Sequence, residues 1–178
     1  MSPSPLSVSV IIPAKNGCPT IGPCLDAVLA QEYEGAFDVL VIDSGSTDGT
    51  LEVCAERPDV QLHQIHPLAF DHGDTRNLGA ALSTGDALVF LVQDAEPVGT
   101  SWLTNLVSNL EDPKVAGAFS RILPRPDAGP LVKRGCEQDL CHGIDRIEVS
   151  MTSKEQWEAL DPHALRLACN FNDVSSVV

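Results

Sequence analysis

Hydrophobic blocks of strand length recur along the chain as far as residue 122, separated by polar turns and by stretches whose apolar residues keep helical spacing. Residues 6–12, LSVSVII, predict a first buried strand that stops at Pro13. The loop 14–19 leads to Thr20 as a helix cap. Ile21, Cys24, Leu25, Val28 and Leu29 then share one helical face, with Pro23 tolerated in the first turn. The segment 37–42 ends in a continuous apolar run, as in a parallel strand covered on both faces, and a short helix over 48–57 stops before Pro58. A weaker strand is predicted at 60–65. Residues 70–83 hold the loop FDHGDTRN and a helix bearing Leu78, Ala81 and Leu82, and 87–92, ALVFLV, form the most hydrophobic strand candidate. Trp102, Leu103, Leu106, Val107 and Leu110 mark an amphipathic helix with Trp102 in the core, and a strand at 115–122 runs into the loop LPRPDAGP. Beyond Pro130 the pattern weakens to helices around 131–141 and 153–160, and FNDVSSVV reads as the start of an element cut short. Strands alternating with helices argue for an α/β sandwich with a largely parallel central sheet and helices on both faces. The unfinished ending points to a fragment, with a natural boundary near 123–130.

Charge narrows the partners. A net charge of −14 over 178 residues disfavours nucleic acid, which wants a basic stripe, and docking on anionic lipid by general electrostatics. No apolar run approaches a membrane span, and the N-terminal MSPSPLSVSV lacks the basic and apolar regions of a signal peptide. The six cysteines include no C-x-x-C pair, and Cys24, Cys54 and Cys169 lie in apolar segments, as expected of reduced thiols in a cytoplasmic protein. The Cys136, Cys141 and His142 group matches no common metal spacing, nor do His63, His66 and His72, which read as surface histidines.

Phosphate-binding signatures of the P-loop and dinucleotide type are absent, as is the G-x-S-x-G nucleophile elbow. What remains is polar chemistry at successive strand ends: Lys15 and Asn16, then Asp43, then Asp94 and Glu96, with Asp71, His72, Asp74, Arg76 and Asn77 in one further loop. In open α/β sheets, ligands bind in the crevice outside the carboxyl ends of the strands. Within VLVIDSGSTDGT, Asp43 either accepts hydrogen bonds from a ligand or, with Asp48, only ties down its own turn. Asp94 is suited to share Mg²⁺ or Mn²⁺ with substrate phosphates, against a simpler role as a cap before Pro97. Arg76 either grips a phosphate or base, or pairs with Asp74 on a helix surface.

VSVIIPAKNG, VLVIDSGSTDGT, HGDTRNLGAAL, GDALVFLVQDAEP and VAGAFSRILPRPDA, in that order, resemble the family 2 glycosyltransferases of the GT-A fold. PAKNG, HGDTRN, QDAEP and RILPRPDA resemble more narrowly the bacterial rhamnosyltransferase-like branch. The resemblance covers roughly residues 7–130. It implies inverting transfer of a sugar, rhamnose in that branch, from a dTDP- or UDP-linked donor to a surface-glycan or lipid-linked acceptor. The enzyme would face the cytoplasm, with a peripheral place at the inner face of the membrane. By the same resemblance Pro13, Ala14, Lys15 and Asn16 line the nucleoside pocket, Asp43 holds the pyrimidine imide, and Arg76 supports the nucleotide. Asp94 stands where the family's D-x-D element binds its metal, although Gln93 precedes it and Ala95 follows. Arg121 and Arg125 border the acceptor side. Residues 1–125 would form the donor-binding subdomain, and 126–178 the beginning of an acceptor-binding one. No catalytic base is assigned: the family's Glu-Asp motif lies past the segment resembling FNDVSSVV, and Glu137, Asp139, Asp145 and Glu148 come too early for it. The rival readings are a catalytically silent nucleotide-sugar binding or scaffold module, and a nucleotidyltransferase, for which PAKNG offers only Lys15.

Overall fold

A computed structural model of the chain describes residues 4–138, 148–150, 153–161 and 174–178. The first strand, β1 (Val8–Ala14), carries the expected apolar run but does not stop at Pro13. Backbone groups of successive residues point to opposite neighbours, and the Ala14 carbonyl accepts from Ser44 N on the β2 side at 2.9 Å. The missing N–H of Pro13 therefore faces the β4 side, where pairing has already ended at Ile11 and Phe90. A proline there removes no ladder hydrogen bond.

The remaining strands are β2 (Phe37–Asp43), β3 (Val60–Gln64), β4 (Ala87–Leu91), β5 (Ala118–Phe119) and β6 (Ser175–Val177), in the sheet order β3-β2-β1-β4-β6-β5. Strands β1, β2, β3 and β4 run parallel, while β6 pairs antiparallel with β4, Val89 opposite Val177. The strand expected over 115–122 is thus only two residues long, and the tail that read as an unfinished element is a buried strand.

Residue parity separates two cores. Val8, Val10, Ile12, Val39, Val41, Val89 and Leu91 face a large cluster completed by Ile21, Leu25 and Val28 of helix α1 (Cys18–Leu29) and by Leu103 and Leu106 of a later helix (Trp102–Val107). Cys54 of α2 (Thr50–Ala55) joins the same face, and Arg57 Nε ties the end of α2 to Asp26 Oδ1 of α1 at 2.8 Å. Ile11, Leu40 and Ile42 point the other way, with Leu88 and Phe90 beside them. Helix α3 (His72–Leu82) covers that face through its small residues: a Cβ on Gly79 would stand 2.5 Å from Ile11 Cγ2 and 3.1 Å from Ile42 Cδ1. Both faces are therefore covered, as the continuous apolar strands require.

Helix α4 (Trp102–Val107) begins at the expected place, and Trp102 packs half-buried against the large cluster, its Nε1 donating to Ser175 Oγ at 3.1 Å. The N-cap of helix α1 is Gly17, three residues before the expected Thr20 cap, and α2 is shorter than the predicted 48–57.

The chain divides into two compact units, Met1–Ala118 with Asp173–Val178, and Phe119–Asn172. Within the second unit lie α5 (Pro130–Gln138) and α6 (Lys154–Glu158), near the two helices predicted there. Cys141, His142, Asp139, Asp145 and Cys169 fall outside the described residues. Among the described residues no helix is long and apolar enough to cross a membrane.

Candidate functional site at the carboxyl edge of the sheet

From β1 the chain steps through β2 to β3, then crosses back to place β4 on the other side of β1. The strand order therefore reverses between β1 and β4, the position at which α/β sheets open a crevice at their carboxyl edge. Three segments meet here: the β1–α1 loop (15–17), the β2–α2 loop (44–49) and the turn after β4 (92–95).

The β2–α2 loop is shaped by its own first residue. Asp43 is fully buried at the end of β2, and its Oδ1 accepts from Gly45 N at 2.8 Å and Ser46 N at 2.9 Å. Ser46 Oγ donates to the other carboxylate oxygen. Gly45 needs its lack of a side chain twice over, because its φ is +88° and a Cβ would collide with Pro67. The carboxylate expected to hold a pyrimidine imide is thus engaged in holding its own turn, as the simpler reading of this stretch proposed.

That turn in turn holds the β1–α1 loop. Asn16 has a left-handed φ of 47°, a conformation asparagine tolerates better than most residues. Its N–H donates to Ser46 Oγ at 2.8 Å, and its Oδ1 accepts from Thr47 N at 2.9 Å. Gly17 N donates to the buried Thr50 Oγ1 at 2.9 Å, and Cys18 N to Asp48 Oδ2 at 3.0 Å. Thr50 Oγ1 in turn donates to Asp48 Oδ1 at 2.5 Å. Helix α1 consequently takes its first hydrogen-bond acceptors from the next loop rather than from Thr20, whose hydroxyl bonds back to Gly17 O. That the SGSTDGT loop caps the preceding helix depends on the β1–β2 pairing, which brings Ala14 opposite Asp43.

The third segment supplies the exposed acid. Asp94 lies on the turn after β4, open to solvent, one residue beyond a Gln93 whose side chain reaches the Lys15 main chain. The negative charge here is felt by Cys24 on α1. Burial chiefly, with Asp94 and Glu96 adding to it, pushes that thiol up to about 12. Pro13 is half-buried, Ala14 buried, and Lys15 and Asn16 exposed at the mouth of the crevice. Arg76 is half-buried in the second turn of α3, which begins at this same edge, and its Nη1 donates to His72 O at 2.9 Å. Arg121 and Arg125 belong to the second unit and are exposed there. Gln93 is the structural participant that sequence reading left without a part in this edge.

Of the histidines, His66 Nδ1 accepts from Leu68 N at 3.2 Å, and the His72 ring stands edge-on to Phe70. Among the described residues no group of three or more His, Cys, Asp or Glu side chains is gathered to hold a metal by itself.

Comparison with known proteins places this geometry. A family profile described as glycosyl transferase family 2 matches residues 9–160. The O-antigen chain rhamnosyltransferase RfbN of Salmonella typhimurium is 35% identical over 127 residues, covering 71% of this chain and 40% of the relative. Among solved structures, the mannosyltransferase PcManGT from Pyrobaculum calidifontis in complex with GDP-Man and Mn²⁺ aligns with a TM-score of 0.59 and 29% identity, over 68% of this chain and 37% of the other. TarS 1-349 of S. aureus in complex with UDP-GlcNAc aligns with a TM-score of 0.60 at 21% identity, over 69% of this chain and 36% of that one, a likeness of fold. The fold is the GT-A arrangement that these structures share. The chain spans about two fifths of the length of RfbN.

Proposed function

This chain belongs to glycosyl transferase family 2, and on that footing we propose that its carboxyl-edge crevice binds a nucleoside diphosphate sugar and serves its transfer to an acceptor hydroxyl. The observation that carries this reading is the joining of three loops at the strand-order reversal, with exposed Lys15, Asn16 and Asp94 around one opening. Pro13, Ala14, Lys15 and Asn16 form the nucleoside wall. Asp43 serves that wall by holding the 44–46 turn on which Asn16 rests, and Arg76 supports the nucleotide from α3.

The donor carries dTDP or UDP. The sugar is rhamnose, and that choice of sugar is supported by the likeness to the O-antigen chain rhamnosyltransferase RfbN. The acceptor is a surface-glycan or lipid-linked oligosaccharide, met on the side of Arg121 and Arg125, and the anomeric carbon inverts. In this reading residues 1–125 bind donor and residues 126–178, apart from the sheet strand β6, begin the acceptor side, and the enzyme works at the cytoplasmic face of the membrane.

A divalent cation fits the donor set. Asp94 is an exposed oxygen ligand, and Mg²⁺ or Mn²⁺ typically takes one or two carboxylates and completes its shell with phosphate oxygens and water. When bound, such an ion neutralises charge on the leaving diphosphate. The chain's own residues bind and orient the donor; the acceptor oxygen must then be brought in line and its proton taken by a base, a part given to none of the residues named above.

Calorimetric titration with dTDP and UDP, with and without Mn²⁺, tests the reading. Metal-dependent binding of one of these diphosphates is expected; preference for ATP or NAD, or binding indifferent to the cation, would overturn it.

A further inference from the structure

At the strand-order reversal, the carboxamide of Gln93 lies against the main chain of a residue 78 positions earlier. Lys15 N–H donates to Gln93 Oε1 at 2.8 Å, and Gln93 Nε2 donates to Lys15 C=O at 3.1 Å. A primary amide meets both needs from one planar end group, whereas a carboxylate has no donor and an ammonium or guanidinium has no acceptor.

Gly17 gives a second, independent sign that the loop is built around this side chain. Its φ of −100° is open to any residue, so its backbone does not call for glycine. A Cβ at Gly17 would, however, stand 2.5 Å from Gln93 Oε1 and 2.8 Å from Gln93 Cδ. The missing side chain makes room for the carboxamide.

The other flank of the same loop is fixed by Ser46, Thr47, Asp48 and Thr50. That network joins β1 to β2 and makes no link to β4. The Gln93 pair supplies a side-chain link from the loop to the turn that carries Asp94.

We propose that Gln93 is a positioning residue, whose pairing with Lys15 sets the distance between the nucleoside wall and Asp94 so that both engage one diphosphate ligand. The inference rests on the donor-site reading above. It assigns a purpose to the residue that stands immediately before Asp94: an acid at this position would lose the bond to Lys15 C=O and set its charge against that carbonyl.

The experiment is a double-mutant cycle on the full chain, with Mn²⁺ present and UDP and UMP as ligands. Gln93→Ala and Gly17→Ala, which displaces the carboxamide without removing it, should each weaken UDP about tenfold. UMP, which lacks the second phosphate, should weaken much less. In the double variant Gly17→Ala should add no further loss, because the side chain it collides with is gone. Equal losses for UDP and UMP, multiplying losses, or wild-type affinity in Gln93→Ala would each overturn the positioning role.

Amide-exchange protection at Lys15, read without ligand, separates this inference from its premise. It should fall in both single variants. If the wild type binds neither UDP nor dTDP, the donor-site reading fails, and the positioning role falls with it even where the Lys15 amide still depends on Gln93. If the wild type binds and Lys15 protection is unchanged in Gln93→Ala, the positioning role fails alone.

Discussion

The carboxylate of Asp48 accepts the backbone N–H of Cys18 at 3.0 Å, so helix α1 is capped by an acid from the loop that introduces α2. The Thr50 hydroxyl chiefly, with the N–H groups of Cys18 and Thr50, holds the Asp48 carboxyl below the usual aspartate range. A group whose pKa is lowered by folding contributes stability above its unfolded value, near 3.9, and loses it as pH falls through the lower folded value. Asp48→Ala should therefore have a lower thermal midpoint than the wild type at neutral pH. The gap should narrow only below about pH 4. A gap independent of pH would mean that the charge on Asp48 does not matter.

Gly79 lets α3 lie close on the sheet. Gly79→Val drives branched methyl groups into Ile11 and Ile42, both completely buried. Overpacking of this kind costs about 1–3 kcal/mol, only partly offset by the better helix propensity of valine. Urea unfolding should show the midpoint falling, and nucleotide affinity should fall with it, because Arg76 rides on the same helix.

Asp94 and Asp43 should separate by what they damage. Asp94→Asn leaves the fold intact, since Asp94 is exposed, but should weaken Mn²⁺-dependent diphosphate binding about ten- to a hundredfold. Asp43→Ala strips acceptors from Gly45 N and Ser46 N and should cost about 1–3 kcal/mol of stability, with binding lost as the 44–46 turn loosens. Calorimetry paired with urea unfolding distinguishes the two. An Asp43→Ala protein of full stability would mean that the turn does not need this carboxylate.

The thiols should differ in reactivity. With Cys24 pushed up to about 12, only about one part in ten thousand is thiolate at pH 8. Burial raises Cys54 as well, while Cys18 is half-exposed. Mass spectrometry after brief iodoacetamide treatment of the native protein should find Cys18 carboxamidomethylated ahead of Cys24 and Cys54. Equal labelling would show that α1 opens readily from the sheet.

Strands β1, β2 and β4 were legible because both of their faces are buried, which leaves a continuous apolar run, and α1 because its apolar stripe is regular. Pro13 misled because a proline ends a strand only where its N–H is needed, and that depends on where the neighbouring strand stops. FNDVSSVV read as the start of an element, but its seat inside the sheet could not be read from hydropathy: Ser175 and Ser176 are buried serines, and the first accepts a hydrogen bond from Trp102. At the crevice, residue types announced acids and a lysine at strand ends. They could not announce that Gln93 reaches Lys15 or that Asp48 caps α1, since both are contacts between loops far apart in sequence. For Asp43 they left two readings open, a ligand contact or a tie within its own turn, and the hydrogen bonds from Gly45 N and Ser46 N are those of the second.

The antiparallel seat of β6 beside β4 has a consequence for synthesis on the ribosome. Strand β4 carries the most hydrophobic run in the chain, and one of its edges is closed by Ser175, Ser176 and Val177. The two strands are separated by more than 80 residues of intervening sequence, about two thirds of them assigned to the other compact unit. At typical elongation rates of roughly 5–20 residues per second, that edge stays open for several seconds of translation. An open apolar edge is a template for pairing with another chain. The nascent protein thus passes through an interval of aggregation risk that the finished sheet does not have, and chaperone demand during expression should track the time taken to make residues 92–174.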